Sequence, residues 1–343
     1  MKLIIFRADS SDKIGSGHIF RCINLAKKLK RKNNRILFIC QNLKGNFINY
    51  IKKNKFKVII NKNVSKEKKI YNWSKKNQIK DANFLTNKEK KIDLIVSDHY
   101  GLGSTWRKKI RPFCKKIFLI DDFDRNKEFC DFYLNHNQYH FKNNLKKPKI
   151  NLCGIDYLLT GNNLKFIKKK TNLKKNIFFY MGSVDSKNIT LKFVKLINDI
   201  KFKDYKFFIM IGRNNRLKNY YFSNKIKISN VKFIEDTIDN FQSFYKKIDI
   251  TFSGANTTMY EQLKFGFKPF VIPQNNLQAR ISKNLHDQKY INLLQIKNIK
   301  KNSLKKIIDK NINFFFKPNS KISKKLRINS VIKIAHIIEK NTI

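Results

Sequence analysis

Short apolar runs alternate with longer amphipathic stretches along most of the chain, and this alternation constrains the fold more than any other feature. A short apolar run is what a strand buried on both faces looks like, and an amphipathic stretch between two such runs is the crossover helix of a parallel sheet. The first half carries apolar runs at 2–7, 35–40, 57–60, 92–97 and 116–121, of which Ile92-Asp93-Leu94-Ile95-Val96 is typical. Helices are expected near 18–32, 46–54, 66–79 and 104–112. Between 140 and 175 the pattern loosens, interrupted by Asn, Lys and Pro148. It then restarts, with strands expected at 176–181, 206–211, 231–234, 249–252 and 269–272. Helices are expected near 188–199, 238–247, 256–265, 278–290, 302–312 and 319–339. The predicted architecture is α/β, with two Rossmann-like domains facing across a cleft. The N-terminal domain covers 1–160, a linker covers 161–175, and the C-terminal domain covers 176–343 with the last helices included. Ligands of such sheets bind beyond the carboxyl ends of the strands, so the loops that follow each strand carry the functional information.

A chain of 343 residues is long enough for two cores. Its 75 Lys and Arg against 24 Asp and Glu give a net charge of +51. Clustered basic residues would signal phosphate neutralisation on a nucleic acid. Here the lysines are scattered through every segment and accompany abundant Asn, Ile and Phe, so a compositional bias toward A/T-rich codons accounts for them. No nucleic-acid motif is present, and a specific nucleic-acid partner is not expected. A positive field still helps to gather an anionic nucleotide. Cys22, Cys40, Cys114, Cys130 and Cys153 form no C-x-x-C pair and no zinc spacing, and are read as reduced thiols. Met1-Lys2 runs straight into the strand Leu3-Ile4-Ile5-Phe6, with no secretory leader. No apolar run approaches the ~20 residues needed to span a bilayer. The expectation is a cytoplasmic protein without stable membrane insertion.

Five loops stand out. The first, Arg7 to Cys22, contains Ile14-Gly15-Ser16-Gly17-His18 between the first strand and the first helix. Gly15 and Gly17 allow a tight turn and close approach to a ligand, the helix start behind them favours an anion, and His18 can take a proton near neutral pH. A glycine turn with a capping histidine fits the same spacing. The second, Ser97-Asp98-His99-Tyr100-Gly101, places an acid, an imidazole and a phenol at one strand end, which a polar turn would also do. The third, Ile120-Asp121-Asp122-Phe123, could ligate a metal, but such pairs more often cap an element and anchor a loop, and the structural role is preferred.

In the second half, Tyr180-Met181-Gly182-Ser183-Val184-Asp185 reads as strand, small-residue turn and helix start, suited to a phosphate or sugar. The fifth loop, Ser253-Gly254-Ala255-Asn256-Thr257-Thr258 through Glu261, ends a strand, turns closely and opens a helix that can hold a diphosphate on its N–H groups. Glu261 lies one helical turn further on, where a carboxylate could accept both ribose hydroxyls. Here loop type, strand position and acid spacing agree on a binding role.

These residues resemble a known family. The Ile-Gly-x-Gly-His-x-x-Arg core that ends at Arg21 is similar to the opening motif of the nucleotide-sugar hydrolases of pseudaminic acid (nonulosonate) synthesis. Ser97 to Gly101, Ile120 to Asp122, the Met181–Asn188 loop and the Ser253–Glu261 loop resemble their later motifs, and the resemblance runs to about residue 295. It implies the GT-B fold of the transferase that adds N-acetylglucosamine to the peptidoglycan lipid precursor. It also implies metal-independent hydrolysis of UDP-2,4-diacetamido-2,4,6-trideoxy-β-L-altropyranose, with inversion and with no cofactor. By the same resemblance Ile234 contacts the uracil through its backbone, Glu261 holds the ribose, and the turns at Gly182 and Gly254 cradle the diphosphate. His18 is then the base, Tyr100 orients sugar or water, and Asp9 or Asp12 orients the imidazole. One departure stands in Pro273-Gln274-Asn275-Asn276-Leu277-Gln278: Gln278 falls at the family's glutamine, but Leu277 occupies the place of its asparagine, which Asn276 replaces with a small shift.

Two other functions compete. A glycosyltransferase of the same fold would pass the sugar to an acceptor, and on a lipid acceptor it would want an apolar, basic patch such as Phe47, Ile48 and Ile51 with nearby lysines. A buried helix face explains those residues equally well. A nucleic-acid-binding protein ranks last. The oligomeric state is not legible in the sequence.

Overall fold

The computed structural model describes residues 1–31, 33–62, 72–123, 127–137, 148–160, 175–198, 202–223, 228–236, 244–295, 301–309 and 321–342. The chain divides into two compact units, Met1–Asn162 with Asn329–Ile343, and Asn163–Ile328.

The first unit is a seven-stranded sheet in which every pairing is parallel. Its elements are β1 (Lys2–Ala8), α1 (Gly17–Leu29), β2 (Asn34–Cys40), α2 (Ile48–Lys53), β3 (Lys57–Ile60), α3 (Lys75–Lys88), β4 (Ile92–Asp98), α4 (Ser104–Ile110), β5 (Cys114–Ile120), β6 (Phe132–Asn135) and β7 (Ile150–Cys153). The order is β3-β2-β1-β4-β5-β6-β7. Side chains alternate across a strand, so β1 sends Ile4, Phe6 and Ala8 into one core layer and Leu3 and Ile5 into the other. Both faces are therefore apolar, which is why each strand reads as a continuous run. Truncating Ile5, fully buried, to Ala should cost about 2–5 kcal/mol.

The second unit is a six-stranded sheet, again all parallel. It contains β8 (Asn176–Tyr180), α5 (Ile189–Ile197), β9 (Lys206–Ile211), α6 (Lys218–Phe222), β10 (Val231–Glu235), β11 (Ile250–Ser253), α7 (Thr257–Phe265), β12 (Phe270–Val271), α8 (Asn276–Asp287), β13 (Asn292–Leu293), α9 (Lys301–Asp309) and α10 (Lys321–Arg327). Its order is β10-β9-β8-β11-β12-β13. In each sheet the chain starts centrally and winds outward in both directions. The reversal lies between β1 and β4 in one unit and between β8 and β11 in the other, and ligands of doubly wound sheets bind at that point.

The structure departs from expectation in several places. The helix found in the region expected at 66–79 is Lys75–Lys88, with Ser74 as its cap accepting a hydrogen bond from the Asn77 N–H, and residues 66–71 of that expectation lie outside the described residues. Strands β6, β7 and β13 and helix α6 were not anticipated; each is too short for a periodic signal. The single helix expected over 319–339 is two, separated at Ile328-Asn329, where the Asn329 side chain accepts from the Ile332 N–H. The second of them, α11 (Ser330–Thr342), belongs to the first unit and not to the C-terminal domain. Its Val331, Ile334, Ala335 and Ile338 recur at helical spacing and join the core layer that α1 covers, and Ser330 Oγ donates to the Leu158 carbonyl at 2.6 Å. Most of the helix expected at 238–247 and all of the linker but Lys175 lie outside the described residues. Among the described residues no helix is long and apolar enough to cross a membrane, and all five cysteines are free thiols.

Candidate functional site

The reversal point of the first sheet brings together the loop after β1 and the loop after β4. Residues 11–15 form a closed turn: the Gly15 N–H donates to the Ser11 carbonyl at 2.8 Å, and the Lys13 and Ile14 N–H groups donate to Ser11 Oγ. Gly17 is the first residue of α1 and His18 the second. Strand β4 ends at Asp98, which lies beside Ala8 of β1 in the parallel register.

His18 Nδ1 is 2.6 Å from Asp98 Oδ1, and both side chains are buried. Burial by itself would raise the Asp98 carboxyl, but Arg21 and His18 outweigh it and hold it below the ordinary carboxylate range. Asp98 is therefore an acceptor, so His18 Nδ1 carries the proton between them, and in the neutral imidazole the lone pair is on Nε2. Arg21 Nη2 approaches the same Nδ1 to 3.2 Å because both groups donate to Asp98 Oδ1, Arg21 from 2.7 Å. Among the described residues nothing bonds to His18 Nε2.

Arg21 then links a second acid. Its Nε donates to Asp98 Oδ2 at 2.9 Å, and its Nη1 lies 2.9 Å from both oxygens of Asp122. Asp122 also accepts from Tyr100 Oη at 2.5 Å and from Asn137 Nδ2 at 3.0 Å. Arg21 and His136, with the Tyr100 hydrogen bond, hold Asp122 far below the carboxylate range in spite of its burial, while burial and Asp122 together push the Tyr100 phenol well up. The Tyr100 ring meets the His18 imidazole edge-on, 4.4 Å between centroids, and packs on Phe123 from another side. Five groups thus form one buried constellation: the His18 imidazole, the Asp98 carboxylate that holds it, a bridging guanidinium, a second acid and a phenol.

One expectation is corrected here. Neither Asp9 nor Asp12 orients His18; Asp9 is 2.7 Å from Arg7 and 2.9 Å from His99 on the other side of the turn, and Asp98 holds the imidazole. Asp122, for which a structural role was preferred, anchors Tyr100 and Arg21 in the constellation. The sequence offered Asp98 and Arg21 as motif members, but nothing along the chain pairs residues 18 and 98. Phe47, Ile48 and Ile51 are buried, so they form no exposed apolar patch. Among the described residues no group of three or more His, Cys, Asp and Glu side chains is placed to hold a metal ion.

The second sheet assembles the other set. Gly182 follows β8 at φ +97°, and a Cβ there would lie 2.8 Å from Asn256 Nδ2. Only glycine lets these two loops close on each other. The helix after Gly182 is not open to an anion: the Ile189 and Thr190 N–H groups of α5 both donate to Asp185, at 2.9 Å each. This corrects the expectation that the first helix start of the second half helps to hold a phosphate, because a carboxylate already sits there. Helix α7 differs. The Asn256 side chain accepts from the Thr258 N–H and the Asn256 carbonyl from the Met259 N–H, while among the described residues no acceptor meets the N–H of Ala255 or Thr257. Gly254 carries its N–H onto the Tyr180 carbonyl at 3.3 Å.

Glu261, on α7, is half-buried, and burial together with Asp236 pushes its carboxyl up to about 7. Asp236, two residues past Ile234 of β10, is itself raised by burial and accepts from Tyr180 Oη at 2.6 Å. Gln278 is half-buried near the start of α8; its Oε1 accepts from the Gln274 N–H at 2.8 Å, which leaves its amide NH₂ to donate elsewhere. Asn276, the first residue of α8, is exposed. Gln274, unanticipated, is buried and donates to the Met181 carbonyl at 2.6 Å, tying the loop before α8 to the end of β8.

No family model matches the chain. Over 303 residues it is 29% identical to an uncharacterized protein of Methanocaldococcus jannaschii, covering 81% of this chain and 57% of that protein. Over 195 residues it is 29% identical to the UDP-2,4-diacetamido-2,4,6-trideoxy-beta-L-altropyranose hydrolase of Campylobacter jejuni, covering 55% of this chain and 63% of that enzyme. The chain thus spans less than two thirds of the length of either curated relative. Solved structures match it along its whole length. MurG of Acinetobacter baumannii gives a TM-score of 0.65 at 12% identity over 99% of this chain and 100% of its own. The glycotransferase of kitacinnamycin gives 0.68 at 10% identity over 98% and 97%, and the calicheamicin glycosyltransferase 0.61 at 10% over 99% and 98%. The chain has their GT-B fold.

Proposed function

We propose that this protein hydrolyses a UDP-sugar, UDP-2,4-diacetamido-2,4,6-trideoxy-β-L-altropyranose by the resemblance of its motifs, and that His18 is the base that activates water. The observation that carries the reading is the His18–Asp98 pair, because it leaves a lone pair on Nε2 with no partner among the described residues. The hydrolase of Campylobacter jejuni supports the choice of substrate, and the glycosyltransferase fold supports a nucleotide-sugar.

In this reaction water gives its proton to His18 Nε2 and attacks the anomeric carbon. The bond from that carbon to the UDP oxygen breaks with inversion, and UDP leaves as an anion. No general acid is needed if that charge is stabilised, a role assigned to the loop Gly254, Ala255, Asn256 and Thr257 at the start of α7, of which the Ala255 and Thr257 N–H groups have no acceptor among the described residues. Ile234 is assigned to the uracil, Glu261 to the ribose, and Asn276 and Gln278 to the sugar. Tyr100, fixed by Asp122, orients sugar or water. As His18 gains its proton, the charge on Asp98 stabilises the imidazolium.

An acceptor hydroxyl in place of water would turn the same constellation into a transferase. Phe47, Ile48 and Ile51 are buried, which removes the lipid-facing patch that a lipid acceptor would want and counts against that acceptor. Reaction in ¹⁸O-water tests the proposal: the label should appear in the free sugar and none in UDP. Label in UDP would place the break at phosphorus and overturn it.

A further inference from the structure

Beneath the constellation lies a second buried polar cluster that the proposed reaction does not use. Arg7, fully buried on β1, donates from Nη1 to Asp9 Oδ1 at 2.7 Å and from Nη2 to Asp81 Oδ2 at 2.8 Å. Asp81, on α3, also accepts from Trp106 Nε1 at 2.8 Å and from Asn61 Nδ2 at 2.9 Å. Asp9 accepts from the Gln41 N–H at 2.7 Å and meets His99 Nε2 at 2.9 Å. Strands β1 and β4 and helices α3 and α4 are thereby tied together through one guanidinium.

His99 is where this cluster reaches the site. Its Nδ1 accepts from the Gly101 N–H at 3.0 Å. A backbone N–H can only donate, so the His99 proton is on Nε2 and points at Asp9. This is the opposite tautomer to that of His18, and each is set by its partner. Burial, with Arg7 close by, lowers the affinity of His99 for a second proton and keeps it neutral. The outer side of the turn is clamped as well. The Trp73 N–H donates to the Gly101 carbonyl at 3.0 Å, the Asn72 N–H to the Tyr100 carbonyl at 3.2 Å, and the Trp73 ring meets His99 edge-on at 4.6 Å. A Cβ on Gly101 would lie 2.5 Å from that ring, so the clamp closes only on glycine. Tyr100 is held between these anchors, with His99 before it in sequence and Gly101 after it.

We propose that His99, seated on the Asp9–Arg7–Asp81 cluster, is a positioning residue that sets the Tyr100 phenol on Asp122 and against His18. The proposal rests on the reading of Tyr100 as the group that orients sugar or water. It makes Arg7 and Asp9, at the head of the first motif, parts of the site's scaffold and not ligands of the substrate.

The test is a double-mutant cycle of His99→Gln, which keeps a donor toward Asp9 at the Nε2 position and has no acceptor at the Nδ1 position that meets the Gly101 N–H, with Tyr100→Phe. If His99 acts through Tyr100, His99→Gln lowers kcat on the UDP-sugar on the order of 10-fold in the wild type. In Tyr100→Phe it costs less than about 2-fold further, and UDP affinity is unchanged in both backgrounds. A second readout needs no substrate. In protein labelled with ¹³C at the tyrosine ζ carbon, the Tyr100 resonance, identified by its loss in Tyr100→Phe, moves in His99→Gln. Equal losses of kcat in the two backgrounds, or an unmoved Tyr100 resonance, would overturn the proposal. If the wild type releases no UDP while the resonance still moves, the proposed reaction fails and the positioning role stands.

Discussion

His18 Nδ1 and Asp98 Oδ1 lie 2.6 Å apart at the reversal point of the first sheet, and Arg21 lies against the same carboxylate from 2.7 Å. Asp98 therefore does two things at once. It fixes the tautomer of the imidazole, and it balances a buried guanidinium. Replacing it with Asn keeps the shape and removes the charge.

Asp98→Asn should lower kcat on the order of 100-fold or more, because an amide can present its NH₂ to the ring and stabilise the wrong tautomer. UDP affinity should stay within about 2-fold, since the residues assigned to the nucleotide lie in the other unit. Steady-state kinetics beside calorimetric titration of UDP checks this. Turnover close to that of the wild type would contradict the orienting role.

Glu261 gives a pH dependence. Its carboxyl is raised from the ordinary 4.5 to about 7, first by burial and then by Asp236. If the ionised form accepts the ribose hydroxyls, UDP affinity should be level above pH 7 and should fall as pH drops through 7, approaching tenfold per unit. In Glu261→Gln the affinity should be weaker at pH 8 and nearly independent of pH. A flat profile for the wild type between pH 5.5 and 8 would count against the ribose assignment.

The same group makes a statement about stability. A raised folded pKa means that the folded state binds more protons than the unfolded one between pH 4.5 and about 7. The stability of the ligand-free protein should therefore fall as pH rises through that window on account of this group, with the loss complete above pH 7. Glu261→Gln should raise the thermal midpoint at pH 8 and have little effect at pH 4.5. An equal change at both values would mean that the carboxyl is not raised.

Gly182→Ala combines two faults. The backbone there is at φ +97°, and the new Cβ would meet Asn256 Nδ2 at 2.8 Å. Moving Asn256 disturbs the cap of α7, so the substitution should destabilise by about 1–3 kcal/mol and weaken UDP binding at the same time. Denaturant unfolding and UDP titration of one preparation check both. Loss of stability with intact UDP affinity would separate Gly182 from the nucleotide.

Most strands of both sheets were legible because burial on two faces leaves an uninterrupted apolar run, as in Leu94-Ile95-Val96, whereas the short β6, β7 and β13 were not. The glycine loops were legible because a turn and a close approach need that residue. The pairing inside the site was not. Asp98 reaches His18 across 80 positions of chain and Asp122 reaches Arg21 across 101, and only the winding of the sheet brings them together. Local reading put Asp9 and Asp12 beside His18 because they are near in sequence, whereas Arg7 and His99 draw Asp9 away. The last helix was misassigned for a related reason: its amphipathic stripe says that it packs, and the partner, α1, lies at the far end of the chain.

The most direct measurement is UDP release from UDP-2,4-diacetamido-2,4,6-trideoxy-β-L-altropyranose, with no acceptor and with a chelator present, by wild type and by His18→Ala of verified UDP affinity. The account predicts steady release by the wild type and a loss on the order of 100-fold or more in the variant, both binding UDP alike. Equal release by the two proteins would remove His18 as the base, and no release by a wild type that binds UDP would contradict hydrolysis of this sugar.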